Sequence, residues 1–203
     1  MEIAIILNSG VPVTRKIDAD KVICTDGGYL LSPVRPDYLV GDLDSLGEPP
    51  EGIPLLKHDS HKNFTDGESA VRFAAELGAD LVTLYGVTGG RCDHFLGNLA
   101  TMALAMELGM KVRSLNTDAE IYGVSAVLCP DFRIPLTVGE TFSLIPHGGE
   151  ATVTRARGVE YPLEELTLTP TDTRGVSNRA VAEEVSFTVT KGMVFFIRDI
   201  YFR

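Results

Sequence analysis

Acidic residues, glycines and one arginine recur where segments of predicted secondary structure end. They form five short motifs: Asp26-Gly27-Gly28, Gly41-Asp42-Leu43-Asp44-Ser45, Lys62-Asn63-Phe64-Thr65-Asp66, Gly86-Val87-Thr88-Gly89-Gly90-Arg91-Cys92-Asp93-His94 and Gly175-Val176-Ser177-Asn178. Carboxylates gathered at strand ends repel one another unless a cation lies between them. Together the motifs indicate a hard metal ion and, through that metal and Arg91, a bound phosphate.

Asp42 and Asp44 are the leading candidates for metal ligands. They either point the same way from one strand or share the loop that follows it. Mg²⁺ accepts one or two protein carboxylates and keeps places for water and phosphate oxygens. A solvated turn accounts for the same residues about equally well, because Asp, Gly and Ser are common in turns.

Two further motifs suit phosphate, and each has a plainer alternative. Asp26-Gly27 can bring backbone N–H groups close to a ligand, or can form a tight turn. Thr65 and Asp66 begin a predicted helix, whose free N–H groups attract phosphate. A capping box formed by Thr65 and Glu68 explains that helix start without any ligand.

The segment around Arg91 is the most specific of the five. Gly90 permits close approach of the backbone, Arg91 offers a planar fork for phosphate, and Asp93 lies at a predicted helix start. An ordinary structural loop is the alternative here. His58 and His61 have no third ligand nearby, so we expect no zinc site.

Alternating strands and helices over residues 1–128 must position these motifs. Apolar, β-rich runs predict strands over 3–7, 22–25, 38–40, 81–85 and 111–115. Two helices are predicted, from Asp66 to Leu77 and from Asp93 to Leu108. Their apolar faces are Ala70, Phe73, Ala74 and Leu77 in the first, and Leu96, Leu99, Ala100, Ala103 and Met106 in the second. This alternation predicts an α/β domain with a parallel sheet.

Residues 129–203 carry a different pattern, with no helical periodicity. Short strands are predicted over 141–145, 151–154, 165–169, 185–190 and 193–198. Turns are expected at Gly148-Gly149, Tyr161-Pro162 and Lys191-Gly192. We therefore predict a second, all-β domain, a small sandwich or barrel, with the boundary after residue 128.

Bulk properties narrow the function classes. The chain of 203 residues has a net charge of −10, which disfavours nucleic acid and anionic membranes as partners. The three cysteines are odd in number and lack metal-ligand spacing, which favours a reducing compartment. The N-terminus lacks the basic flank and long apolar core of a signal peptide, and no apolar stretch is long enough to span a bilayer, so we expect a cytoplasmic protein.

Taken in order, the motifs resemble those of a known family. Asp-Gly-Gly, Gly-Asp-Leu-Asp-Ser, Lys-x-x-Thr-Asp and Gly-Gly-Arg-x-Asp-His-x-x-x-Asn look like the N-terminal catalytic domain of the thiamine pyrophosphokinases. Residues 158–163 and 175–178 are similar to that family's C-terminal β domain. The resemblance thus covers nearly the whole chain, and it implies an α/β domain followed by a β-sandwich domain.

The resemblance also implies an activity and a set of residue roles. The family transfers the pyrophosphoryl group of ATP to the hydroxyl of thiamine, giving thiamine diphosphate and AMP, as a homodimer with its active site at the subunit interface. Implied ligands of Mg²⁺ and the ATP phosphates are Asp26, Asp42, Asp44 and Asp66, and the nucleotide site is completed by Gly27, Thr65, Gly90, Arg91 and Asp93. The implied thiamine pocket includes Ser177 and Asn178, with Tyr161 as the nearest aromatic candidate. Catalysis is assigned to Asp42, Asp44, Asp66 and Arg91.

Two positions depart from the family pattern, and two other functions remain open. Asn63 stands where an acidic residue is common, and Gly67 where a leucine is common. A metal-dependent hydrolase of nucleotides or sugar phosphates is one alternative, because acidic strand ends suit it too. A non-catalytic sensor of nucleotide or thiamine is the other, although so many carboxylates are costly for binding alone.

Overall fold

The chain forms two compact units, Met1–Thr117 and Asp118–Arg203. The computed structural model describes residues 1–57 and 63–200, so Lys62 of the third motif, His58 and His61 lie outside the described residues. The division falls earlier than the predicted boundary after residue 128. The reason is that residues 119–125 form a strand that pairs with the last strand of the chain.

The first unit is built on a parallel sheet. Its strands are β1 (Glu2–Ile6), β2 (Lys21–Thr25), β3 (Tyr38–Gly41), β4 (Leu55–Lys57), β5 (Leu81–Tyr85) and β6 (Lys111–Leu115). The order across the sheet is β6-β5-β1-β2-β3-β4, and every pair is parallel. Ile3 to Ile6 are fully buried. Such a continuous apolar run is typical of a strand covered on both faces, as the sequence predicts.

Three helices accompany this sheet: α1 (Asp26–Tyr29), α2 (Asp66–Glu76) and α3 (Cys92–Glu107). The short helix α1 is a departure from the tight turn considered for Asp26-Gly27-Gly28. At the start of α2, Thr65 Oγ1 accepts the N–H of Glu68 at 3.1 Å, which confirms the predicted N-cap. The carboxylate of Glu68 pairs with Arg72 one turn later.

The buried face of α3 differs from the predicted one. Leu96 is 64% exposed and Ala100 is also exposed. The residues that pack inward are Leu99, Thr101, Met102, Ala103, Ala105 and Met106. Leu99, Ala103 and Met106 belong to both the predicted and the observed buried face. Apolar periodicity alone does not decide which other residues of α3 are buried with them.

The second unit is antiparallel. Its strands are β7 (Ala119–Ser125), β8 (Asp131–Pro135), β9 (Thr141–Arg157), β10 (Leu166–Leu168), β11 (Asn178–Arg179) and β12 (Glu184–Asp199). The order is β10-β9-β12-β7, while β11 pairs with β9 and β8 with β12. Residues 118–200 contain no helix, and for 129–200 this is what the sequence predicts.

Two long strands replace four of the predicted short ones. Gly148-Gly149 and Lys191-Gly192 lie within β9 and β12 and do not form turns. The β9–β12 register shifts around Lys191, so these residues form an irregular bend. A Cβ at Gly192, whose φ is +70°, would lie 2.1 Å from the carbonyl oxygen of Glu150, and only glycine fits there. Both halves of β9 contribute to a single core, through Phe142, Leu144, Ala151 and Val153.

In the described part of the chain, every helix is too short or too polar to cross a membrane.

Candidate functional site

Three of the predicted metal ligands lie together at the carboxyl ends of β2 and β3. Asp26, Asp42 and Asp44, here called the acidic trio, each offer a carboxylate oxygen, and these oxygens lie within 4.8 Å of one another. Asp26 begins α1 directly after β2, and Asp42 follows the last residue of β3. Parallel strands therefore bring residues from separate motifs to one edge of the sheet.

Asp26 is the most deeply placed member of the trio. It is only 1% exposed. Its Oδ2 accepts the backbone N–H of Ser45 at 2.7 Å, while its Oδ1 is buried without a hydrogen-bond partner. Burial raises the pKa of Asp26, the Ser45 N–H opposes that rise, and the neighbouring Asp44 reinforces it. An orphaned carboxylate oxygen beside two further carboxylates is what a cation site requires.

Asp42 and Asp44 share a loop and do not continue the strand. The chain turns at Leu43, which takes a left-handed φ of +69° although it is not a glycine and is 8% exposed. Asp42 Oδ1 accepts the N–H of Asp44 at 3.3 Å, and Ser45 Oγ donates to Asp44 Oδ1 at 3.0 Å. Of the two arrangements that the spacing allowed, the structure adopts the shared loop.

Asp66, the fourth predicted metal ligand, stands beside the trio but is not a member of it. A Cβ at Gly41 would lie 2.8 Å from the Cβ of Asp26 and 3.3 Å from Asp66 Oδ2, so both residues lie close to Gly41. Asp66 opens α2, whose cap Thr65 faces the same cleft. The metal role of Asp66 stays a prediction.

A cleft of about 440 Å³ connects these acidic residues with the start of α3. Its lining includes Leu7, Asn8, Thr25, Gly27, Asp44, Ser45, Thr65, Asp66, Gly67, Asp93, His94, Gly97 and Asn98. A Cβ at Gly67 would lie 3.1 Å from Leu7 Cδ2, so the cleft wall is tight at this departure from the family pattern. A leucine at this position would require Leu7 to move.

Asn8 and Asn98 are cleft residues to which the sequence assigns no role, although Asn98 ends the Gly-Gly-Arg-x-Asp-His-x-x-x-Asn motif. Asn8 comes directly after the buried run of β1, a signal of the same kind as the acidic residues after β2 and β3. A Cβ at Gly27 would lie 2.1 Å from Asn8 Nδ2. Gly27 therefore admits the Asn8 side chain, which is a firmer reason for a glycine there than a turn.

A second cavity of about 300 Å³ adjoins the first and shares Asn8, His94 and Asn98 with it. It is lined by residues 86, 87, 89 and 90, and by Arg91. We call residues 86–91 the glycine loop. A Cβ at Gly90 would lie 2.7 Å from the carbonyl oxygen of Ser9, so the loop packs directly on the chain that leaves β1.

The strand order explains the position of this second cavity. From β1 the chain extends one way to β2, β3 and β4, and later the other way to β5 and β6. The order reverses between β1 and β5, and in such sheets ligands bind in the crevice at the carboxyl ends of those strands. Asn8 and the glycine loop follow those two ends.

Arg91 and Asp93 form an ion pair at the mouth of the cleft. Arg91 donates from Nε to Asp93 Oδ1 at 3.0 Å and from an Nη atom to Oδ2 at 2.5 Å. Both side chains are largely exposed. Hydrogen bonding from Arg91 lowers the pKa of Asp93 to about 2, and the pKa of Arg91 is raised in return. The planar fork of Arg91 is therefore occupied by a carboxylate that an incoming phosphate can replace.

The second unit brings together the three residues predicted for the thiamine pocket. Asn178 is 2% exposed, and its Oδ1 accepts the N–H of Tyr161 at 3.1 Å and that of Arg179 at 2.8 Å. Its Nδ2 donates to the carbonyl oxygen of Tyr161 at 2.9 Å. We call this pair of contacts between Asn178 and the Tyr161 backbone the amide clamp. It leaves the Tyr161 side chain 57% exposed.

Ser177 precedes the clamp in a left-handed conformation, with φ at +60°. Its N–H donates to Ser143 Oγ at 3.1 Å, and the side chain is exposed. Ser177 and Tyr161 thus present polar and aromatic surface, whereas Asn178 holds the backbone of Tyr161. The sequence motif contained no sign of this difference between Ser177 and Asn178.

Two family models match this chain. "Thiamin pyrophosphokinase, catalytic domain" matches residues 16–113, and "Thiamin pyrophosphokinase, vitamin B1 binding domain" matches residues 131–194. Together they span well over half of the chain. The acidic trio and the glycine loop lie in the first match, and the amide clamp lies in the second.

Relatives and solved structures agree with these matches. A thiamine pyrophosphokinase of Bacillus subtilis is 27% identical over 192 residues, covering 90% of this chain and 85% of the relative. A crystal structure of thiamine pyrophosphokinase from Bacillus subtilis superposes with a TM-score of 0.82 at 25% identity, covering 98% of this chain and 99% of the other. Thiamin pyrophosphokinase from Candida albicans has the same fold, with a TM-score of 0.74 at 17% identity over 98% of this chain and 88% of its own.

Proposed function

The chain belongs to the thiamin pyrophosphokinase family, and we propose from that premise that its first unit binds ATP with Mg²⁺ and its second unit binds thiamine. The reaction transfers the pyrophosphoryl group of ATP to the hydroxyl of thiamine and yields thiamine diphosphate and AMP. The observation that carries the proposal is the acidic trio, in which three carboxylates lie within 4.8 Å and Asp26 has a buried oxygen without a partner.

The acidic trio fits a hard divalent cation. It offers carboxylate oxygens only, and the buried Asp26 oxygen lacks any other partner. When bound, Mg²⁺ neutralises charge on the transferred phosphoryl groups. Asp42 and Asp44 are more accessible than Asp26, which suits them to face a ligand while Asp26 anchors the base of the site.

The phosphates of ATP are proposed to lie along the cleft, between α2 and the glycine loop. Thr65 caps α2 and Asp66 begins it, so the partial positive charge of the helix start faces the cleft. Arg91 can exchange the Asp93 carboxylate for phosphate oxygens. This arrangement positions reactants and spreads developing charge, which are the main requirements of phosphoryl transfer.

Thiamine is proposed to meet Tyr161 and Ser177 in the second unit, which we take to act as a sandwich-like binding domain. The amide clamp fixes the backbone of Tyr161, and the exposed ring is then available to lie against an aromatic ligand. Asn178 contributes by holding this loop. The family also leads us to propose a cytoplasmic homodimer with the active site at the subunit interface, and measurement of the particle mass in solution tests the dimer.

One assay tests the proposed reaction. Protein, ATP, Mg²⁺ and thiamine are mixed, and AMP and thiamine diphosphate are followed together. Equal amounts of both products are expected, with no AMP when thiamine is omitted. ADP with thiamine monophosphate would overturn the proposal. ATP consumption without thiamine would favour the hydrolase, and tight binding without product would favour the sensor.

A further inference from the structure

The glycine loop has little structure of its own. Gly86, Gly89 and Gly90 all take left-handed φ angles, of +80°, +90° and +84°. Glycines give a loop many accessible backbone conformations, so a single shape must be imposed by contacts from outside. The shape of the loop matters because its backbone lines the second cavity, at the carboxyl ends of β1 and β5.

A buried amide beyond the loop supplies one such contact. Asn116 is 4% exposed and follows β6 directly. Its Oδ1 accepts the N–H of Val87 at 2.9 Å and the hydroxyl of Ser114 at 3.2 Å. The N–H of Thr88 approaches the same oxygen at 3.5 Å.

The other side of Val87 is held as well. Its carbonyl oxygen accepts a hydrogen bond from Asn98 Nδ2 at 3.1 Å, and Val87 is 2% exposed. Both peptide groups of Val87 are therefore fixed by side chains from different elements, α3 and the segment after β6. Asn98 also lines both cavities, whereas Asn116 lines neither of them. Asn116 lies behind the loop, in the wall of a further small cavity that Gly86 and Thr88 also line.

We propose that Asn116 is a positioning residue for ATP, which acts by holding the glycine loop in the shape that receives the phosphate chain. The inference rests on the proposed function of the first unit. Asn116 lies outside the segment matched by the catalytic-domain model, which ends at residue 113. Without its oxygen, the N–H of Val87 stays buried and unpaired, so the loop must shift to satisfy it.

The test measures, by isothermal titration calorimetry, how tightly the protein binds α,β-methylene-ATP in the presence of Mg²⁺. This probe cannot undergo cleavage between the α and β phosphorus atoms, so the readout does not depend on turnover. Asn116→Ala is expected to weaken its binding about tenfold, as is typical of a lost buried hydrogen bond. Asn116→Asp keeps an acceptor oxygen for the Val87 N–H but buries a carboxylate, so its affinity should lie between those of Asn116→Ala and the wild type.

Steady-state kinetics separate positioning from a merely structural role. In Asn116→Ala the KM for ATP should rise while the KM for thiamine stays unchanged. Asp37→Ala is the control, because Asp37 Oδ2 also accepts a backbone N–H, that of Val22 at 2.7 Å, near the amino-terminal end of β2 and outside the lining of both cavities. That variant should lower the midpoint of thermal unfolding without altering either KM.

The outcomes are distinct. Wild-type protein that neither binds the probe nor forms AMP would refute the proposed function and this inference together. Wild-type protein that does both, beside an Asn116→Ala variant of unchanged affinity, would refute the inference alone. If Asn116→Ala does not fold, Asn116→Gln replaces it, since the extra methylene displaces the same oxygen, and the same weakening is expected.

Discussion

The acidic trio and the amide clamp are opposite solutions to building a binding site. The trio gathers three carboxylates within 4.8 Å, and its most buried oxygen has no partner. The clamp is neutral, and the Asn178 side chain donates one hydrogen bond and accepts two. The acidic trio therefore lacks a partner for one of its oxygens in the protein alone, whereas the polar groups of the amide clamp are paired with one another.

The difference follows from the physics of each ligand. A cation–phosphate complex supplies positive charge that the protein must leave room for, so unpaired carboxylates are held ready at a cost in stability. A flat organic ligand gains most from a surface already in place, so the loop that carries Tyr161 is fixed in advance. Substitutions in the trio should therefore act on chemistry, and those in the clamp on stability and thiamine affinity together.

The largest effect is expected at Asp42. Asp42→Asn removes one carboxylate charge at nearly constant shape, so turnover should fall about a thousandfold because charge on the transferred group is no longer neutralised. Circular dichroism should show an unchanged fold, since Asp42 is only partly buried. The measurement is the rate of AMP formation at saturating ATP and thiamine.

A matched carboxylate controls this substitution. Asp131 is an acidic residue of the second unit that accepts the hydroxyl of Thr188 at 2.7 Å. Asp131→Asn should leave the rate of AMP formation near that of the wild type. Near-normal turnover in Asp42→Asn would instead remove Asp42 from the metal site.

The next largest effect is expected at Asn178. Asn178→Ala leaves the N–H and carbonyl groups of Tyr161 without their partner, and the free energy of unfolding should fall by about 1–3 kcal/mol. The KM for thiamine should rise about tenfold as the Tyr161 loop loosens, while the KM for ATP should not change. Chemical denaturation and steady-state kinetics measure the two effects.

The stability and the KM values of Asn178→Ala also test whether the acidic trio and the amide clamp differ as proposed. A loss of stability with an unchanged KM for thiamine would make the clamp a structural contact only. A rise in the KM for ATP of equal size would show that the two units do not divide the substrates as proposed.

Sequence alone came close to the trio and missed the clamp, for a physical reason. Asp42 and Asp44 were predicted to lie at a strand end because continuous apolar runs are easy to recognise, and Asp26 joined them through the family resemblance. The structure places the three together because parallel strands bring such residues to one edge of a sheet. The bonds from Asn178 to Tyr161 join residues 17 positions apart through an irregular loop. No period or motif encodes such a contact.

The same reasoning explains the other misses. Asn8 and Asn116 each come just after a strand, as the acidic residues do, but a lone asparagine at that place is equally typical of an ordinary loop. Gly148-Gly149 has the composition of a turn, yet pairing with β12 keeps it within one long bent strand. Tertiary contacts decided these positions, whereas local capping by Thr65 decided the start of α2.

An effect of similar size, but on stability alone, is expected from Asp26→Asn in metal-free protein. The asparagine can keep the bond from the Ser45 N–H and turn its NH₂ toward the neighbouring carboxylates, so the free energy of unfolding at pH 7 should increase by about 1–3 kcal/mol. Thermal melts with a chelator measure this gain. Added Mg²⁺ should then stabilise the wild type and not the variant.

The pH dependence of the wild type has a definite sign. The folded protein raises the pKa of Asp26 above 3.8, so this group favours folding most below pH 3.8 and that stability is lost as the pH rises through the higher, folded value. Asp26→Asn should remove this loss. An equal loss in the variant would assign the pH dependence to other groups.

The smallest effect is expected at Asp93, a carboxylate that already has a partner. Arg91 lowers its pKa to about 2, so its contribution to stability is present above 3.8 and is lost as the pH falls through about 2. Both partners are exposed, and solvent screens such a pair strongly. Asp93→Asn should therefore leave the thermal midpoint at pH 7 nearly unchanged.

Carbon-13 NMR of the Asp93 carboxyl should show a titration near pH 2 that returns toward 3.8 in Arg91→Gln. If Asp93 instead titrates near 3.8 while Arg91 is intact, its ion pair with Arg91 does not set its pKa. The contrast between a carboxylate that has a partner, Asp93, and one that lacks it, Asp26, would then have no electrostatic basis.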